Sequence, residues 1–259
     1  MNIVKIRLCL FLIYFFFGML LNSTGVIILL SQRYFSIGET EASILDPFKD
    51  LSIAFISFLA GIFITKIGYR KAMLYAFVLL AITCFIVPSI KTFWSIKLIY
   101  AVSGFGFGIS KVAVFGILGL ISQNQKEHLS LMNFIESIFM LGIVSGYFLF
   151  SYMSSDSNPD SWLNVFYIMG VIIISAFALL LSTPIDESKL KVSDNNQNYD
   201  YTAMFKLLFT VSVGVFILCA FINVLIEQST MNWLPTFYKK VILISEKFSI
   251  LLSTILSLS

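Results

Sequence analysis

The chain has 259 residues, 58% of them hydrophobic and only 12% charged, with a formal net charge of +3. Soluble domains run near 45–50% apolar and about 25% charged, so this composition excludes an ordinary soluble globular protein. The positive charge is too small and too dispersed for a nucleic-acid partner, and it fits basic loops lying against an anionic leaflet. The three cysteines, Cys9, Cys84 and Cys219, fall inside apolar runs with no disulfide or metal-ligand spacing, so neither a metal nor a cofactor is expected.

Lys5 and Arg7 open the chain in the manner of a secretory signal, but the apolar run from Leu8 to Leu30 is far longer than the 7–15 residues of a signal core, and no small-x-small cleavage site follows. It reads as an uncleaved first helix carrying Asn22, Ser23 and Thr24 at its middle. Further runs over 44–65, 72–90, 96–121, 129–152, 162–183 and 206–228 approach the roughly 20 residues that cross a bilayer. An eighth begins near Phe248 and meets Ser259 after about 12 residues, too few to span, so the last helix reads as truncated. Pro184 to Asp200 is polar and bears the cluster Asn195-Asn196-Gln197-Asn198, a composition that cannot bury enough apolar surface to fold. The expected architecture is an all-α membrane protein: a six-helix bundle over 1–183, a linker over 184–204, and an incomplete second bundle over 205–259.

Orientation follows from the loop cations. One side carries Lys5, Arg7, Lys66, Arg70, Lys71, Lys126, Lys189, Lys191 and Lys206, nine against the six of Arg33, Lys91, Lys97, Lys239, Lys240 and Lys247. The positive-inside rule places the N-terminus in the cytoplasm of a multipass plasma-membrane protein, a bacterial inner membrane being the expected setting.

The second and third runs are joined by Gly61-Ile62-Phe63-Ile64-Thr65-Lys66-Ile67-Gly68-Tyr69-Arg70-Lys71. This stretch resembles the signature loop of the major facilitator superfamily, Gly-x-x-x-Asp-(Arg/Lys)-x-Gly-x-(Arg/Lys)-(Arg/Lys). Gly61, Lys66, Gly68, Arg70 and Lys71 match, and Thr65 stands where the family has Asp. The resemblance implies two six-helix halves of nested inverted repeats working by alternating access, with no enzymatic activity. It makes the six loop residues a gate whose missing Asp charge tilts the carrier toward its inward-facing state. It also implies a missing C-terminal half, supplied in cis or in trans.

Ionisable residues at bilayer depth are costly, about 2.5–3.5 kcal/mol on insertion scales, and so point to function. Asp46, Asp50, Ala54, Ser57 and Gly61 share one face of the second helix. Asp46 reads as an interfacial group in water next to the helix-starting Pro47; Asp50 reads equally as interfacial or as a proton-coupling carboxylate. In the fourth helix Tyr100, Gly104, Gly108 and Lys111 share a face. Aligned with the family's Arg-x-x-Gln-Gly pattern, Tyr100 replaces the Arg, so that coupling role does not carry over. Lys111 and Glu136 of the fifth helix lie at similar depths, about 15 and 10 Å from the same face, and are expected to pair, either for coupling or as a structural clamp. Gly142 and Gly146 form a small-xxx-small packing stripe.

Asn223, Glu227, Gln228 and Trp233 cluster in and after the seventh run, and Asn22 and Lys111 complete the candidate substrate set. Amides, a carboxylate and a ring suit a hydroxyl-rich ligand, although an interfacial aromatic belt beside a helix-ending Pro235 also accounts for Trp233. Glu227 followed by Trp233-Leu234-Pro235-Thr236-Phe237 weakly resembles the fucose/glucose:proton symporter branch. His128, the only histidine, sits in a loop beside Lys126 and Glu127, so a Ser–His intramembrane protease is not built here. No paired intramembrane aspartates and no re-entrant filter loop are evident. The function expected is a secondary transporter taking up a small polar solute such as a sugar together with protons. The alternatives are efflux of drugs or metabolites, or a transport-inactive fragment or scaffold.

Overall fold

In hydrocarbon a backbone must satisfy its own N–H and C=O groups, so each apolar run becomes a helix. The computed structural model describes residues 3–155, 157–185 and 210–257. Its helices are α1 (Ile3–Leu21), α2 (Thr24–Phe35), α3 (Glu39–Ala42), α4 (Leu45–Ile67), α5 (Tyr69–Ile90), α6 (Phe93–Ile121), α7 (Gln125–Met153), α8 (Val165–Leu181) behind a 3-10 turn (Ser161–Asn164), α9 (Val211–Lys240) and α10 (Glu246–Ser257). Six helical segments, α1, α5, α6, α7, α9 and α8 with its leading turn, are long and apolar enough to cross a membrane, and α4 has 23 residues. Most of the expected linker, from residue 186 onward, lies outside the described residues.

Two expectations are corrected here. The first run is not one continuous helix: α1 ends at Leu21 and α2 starts at Thr24. Ser23 Oγ donates to the Met19 carbonyl and Thr24 Oγ1 to the Leu21 carbonyl at 2.8 Å, and such back-bonding competes with the helical ladder. Nor does Pro235 end a helix, since α9 runs through it to Lys240.

Burying apolar groups gives little drive for association inside lipid, so helices pack where small residues let backbones close. α1 packs on α7 and α8, α5 on α6 and α8, and α4 on α6. Gly18 of α1 lies against the Phe139 carbonyl, and Gly142 of α7 against the Phe15 carbonyl. Gly146 meets Met19 and Ser23 at the helix break, so the glycine stripe of α7 faces α1. Trp162, fully buried, is ringed by Tyr34, Phe150 and Phe166 at centroid distances of 6.4, 6.4 and 6.3 Å. Each such pair adds about 0.5–1.5 kcal/mol, fixing the α7–α8 connection to the end of α2.

The spans alternate between two ends. At the Arg70 end, Gly68 adopts φ 96, which lets α4 turn directly into α5, and Arg7 pairs with Glu127 at 2.7 Å. At the opposite, Asp46 end, Lys91 pairs with Asp160 at 2.6 Å. The hydrogen bond from Lys91 holds the Asp160 carboxyl below its ordinary range, and Asp160 raises the Lys91 ammonium in turn. A depressed carboxylate contributes stability above its unfolded pKa and loses it as pH falls through the folded value. Thermal unfolding in detergent should therefore be flat from neutrality to about pH 5 and decline below about pH 4, with a shallower decline in Asp160→Asn. An identical acid limb in the variant would show that this pair contributes nothing.

α9 meets the bundle at the Asp46 end through α2, and α10 packs on α7. Pro235 has no N–H to return to the Met231 carbonyl, and Gly25 of α2 packs there, where an added Cβ would meet Met231 O and Asn232 O at 2.7 Å. Glu246, 6% exposed, accepts from Arg33 Nη1 at 2.8 Å and from Ser154 Oγ at 2.5 Å. Lys240 and Glu39 pair at 2.7 Å nearby.

Candidate functional site

The break in the first span opens a cavity of about 370 Å³ whose lining draws on α1, α4, α6, α7 and α9. Asn22 comes from the break, Lys49, Asp50 and Ile53 from α4, Phe107 and Lys111 from α6, Glu136 and Phe139 from α7, and Glu227 and Gln228 from α9. Two cations and three carboxylates thus share one polar hollow with aromatic walls. Phe107 and Phe139 stand 6.2 Å apart, and Tyr14 meets Phe139 edge-on at 6.1 Å. The Tyr14 hydroxyl is buried without a hydrogen-bond partner although Tyr14 lines the cavity. An unpartnered buried hydroxyl beside a polar hollow is an unsatisfied group that the site has to account for.

Of the residues expected to bind substrate or protons, Asn22, Lys111, Glu227, Gln228, Asp50 and Glu136 lie in this lining. Asn223 and Trp233 do not: Asn223 is exposed along α9, and Trp233 packs partly buried against the apolar core. The expected Lys111–Glu136 ion pair is absent, because equal depth fixes height along a helix but not direction around it. Lys111 Nζ instead sits over the Phe107 ring at 5.7 Å, a cation–π contact, and both charged groups remain turned to the cavity. Asp46 is not a simple interfacial group in water: it accepts from Asn232 Nδ2 at 2.9 Å and lies 3.4 Å from Lys49.

The side chains of Gly61, Thr65 and Lys66 lie outside the described residues, while the backbone of α4 continues past them to Ile67. Arg70 donates to the Leu180 and Leu181 carbonyls at 3.1 and 2.7 Å, capping α8 within the first bundle. Lys71 is exposed on the first turn of α5. No group of three or more His, Cys, Asp or Glu suited to a metal occurs among the described residues.

The model of the Major Facilitator Superfamily family matches residues 10–259. The chain belongs to this superfamily. Members are carriers rather than enzymes, sit in a lipid bilayer and bind small molecules, in keeping with the multipass fold described above. Among solved structures, the chain is similar to a D-xylose-proton symporter, at 16% identity and a TM-score of 0.71, covering 100% of this chain and 66% of that one. It is similar also to the nucleoside transporter NupG, at 16% identity and a TM-score of 0.70, covering 100% of this chain and 64% of that one. The superfamily chain therefore spans slightly under two thirds of those carriers' length, and at such identity the likeness shows the fold alone. No curated protein sequence matches it.

Proposed function

We propose that this chain forms the substrate-binding part of a secondary transporter that takes up a small polar solute, a sugar above all, together with protons. One observation carries the reading: a single cavity collects Asn22, Lys111, Glu136, Glu227 and Gln228 beside the Phe107 and Phe139 rings. Lys111 can only donate and an ionised Glu136 can only accept, and with no ion pair between them a hydroxyl group, which does both, bridges the two. The amides of Asn22 and Gln228 add further donors and acceptors, and a ring face covers the apolar side of a sugar. Glu136 and Asp50 serve as proton carriers, because protonation removes the cost of moving a carboxylate through a closed state. Alternating access needs a second bundle to close the opposite wall, so the proposal is of uptake by the two-bundle carrier, in the plasma membrane with the N-terminus inside.

Uptake of labelled pentoses and hexoses into energised and de-energised vesicles tests it. Glu136→Gln should abolish proton-driven accumulation and leave energy-independent exchange intact. A complete carrier that moves none of the sugars would overturn the sugar reading, and loss of folding in Glu136→Gln would make Glu136 structural.

A further inference from the structure

Lys49 is 4% exposed although it borders the cavity, and no single anion holds its ammonium tightly. Its Nζ lies 3.5 Å from the Leu21 carbonyl, 3.5 Å from Thr24 Oγ1, 3.4 Å from Asp46 Oδ1 and 3.7 Å from Asp50 Oδ1. A committed ammonium–carboxylate hydrogen bond is about 2.7–2.9 Å. Asp46 Oδ1 is itself buried without a hydrogen bond, while Oδ2 is engaged by Asn232. The ammonium thus stands inside a cage of oxygens contributed by the end of α1, the start of α2 and the first turns of α4.

Each wall of that cage is of a kind that attracts a monovalent cation. Leu21 is the last residue of α1, so its carbonyl, which accepts from Thr24 Oγ1, has no amide partner within the helix and lies at the negative end of the helix dipole. Broken spans at bilayer depth present such carbonyls to alkali cations, and a hydroxyl with two carboxylates completes a hard-oxygen set. We infer that the cage is a monovalent-cation site and that Lys49 is its built-in occupant, a tethered ammonium standing where a sodium or potassium ion would otherwise bind. It offsets one of the two negative charges of Asp46 and Asp50 and ties the α1–α2 break to α4, and through the Asp46–Asn232 bond it reaches α9. A tethered cation cannot leave, so the carrier is indifferent to external alkali cations. On its other side the Lys49 turn abuts α6, where Gly104 approaches the Lys49 carbonyl too closely for a Cβ. Lys49 and Asp50 also border the cavity of the proposed site, but the inference stands on the helix break and the oxygen distances, and its melting test does not depend on which solute is carried.

Lys49→Ala removes the occupant and leaves the oxygens. In detergent, the wild type should have the same Tm in about 0.2 M sodium, potassium or choline chloride. Lys49→Ala should melt lower in choline and recover by about 3 °C or more in sodium or potassium. Adding Asp46→Asn to Lys49→Ala should erase that recovery, and Lys49→Met, which fills the space with an apolar stem, should show none. Equal melting of Lys49→Ala in all three salts overturns the proposal, as does a recovery that survives Asp46→Asn. Where Lys49→Ala yields no folded protein in choline, rescue by extraction in sodium or potassium supports the cage, and failure in all three salts overturns it.

Discussion

Gly142→Val in α7 should abolish recovery of folded, monodisperse protein after detergent extraction, and Gly18→Val in α1 should do the same. At both positions the added Cβ runs into a backbone carbonyl of the opposite helix, Phe15 for Gly142 and Phe139 for Gly18. Overpacking a yielding side chain costs about 1–3 kcal/mol. A carbonyl held in a helical turn does not yield, so α1 and α7 must separate along their whole contact, and the loss approaches the entire margin of about 5–15 kcal/mol. Gly119→Ala in α6 is the opposite case, since a Cβ there meets nothing within 4 Å; it should be neutral or gain up to about 1 kcal/mol from helix propensity. Size-exclusion profiles and Tm values of the three variants make the comparison. Wild-type melting in Gly142→Val would mean that these helices do not depend on the close crossing.

The spans were legible because hydropathy in a bilayer is nearly a local property, and the same logic exposed six of the cavity residues as polar groups stranded in apolar runs. What the sequence hid is tertiary. Lys49 lies in Asp46-Pro47-Phe48-Lys49-Asp50, which looks like a helix start in water; its burial comes from the α1–α2 break, whose Leu21 and Thr24 are 28 and 25 residues away. The break itself has only the weak signal of Asn22-Ser23-Thr24 inside an apolar run. Tyr14, an aromatic residue among phenylalanines, carries no pattern of its own in the sequence, and only its orphaned hydroxyl marks it. Pro235 does not stop α9, and Gly25 of α2 packs where its ladder is weakened, a tertiary contact that has no local signal in the sequence.

Glu246→Ala should open the Asp46 end. The carboxylate links the start of α10 to Arg33 of α2 and to Ser154 at the end of α7, so it clamps three segments where α9 and α10 meet the bundle. Breaking a buried pair by removing one partner costs about 3–5 kcal/mol. Arg33 is 28% exposed and also donates to the Ser155 carbonyl at 3.0 Å, which places the expected cost near the lower bound, about 3 kcal/mol. At about 1.4 kcal/mol per decade that is more than a hundredfold shift in population away from closure at this end. A cysteine at Asn22, which lines the cavity, in a background with Cys219 replaced, reports it through a membrane-impermeant maleimide added from the side of the Asp46 end. Labelling of the Glu246→Ala carrier should be faster by about two orders of magnitude, and Glu246→Gln, which keeps a neutral acceptor, should fall between. Unchanged labelling in Glu246→Ala would show that this ion pair does not govern access to the cavity from the Asp46 end.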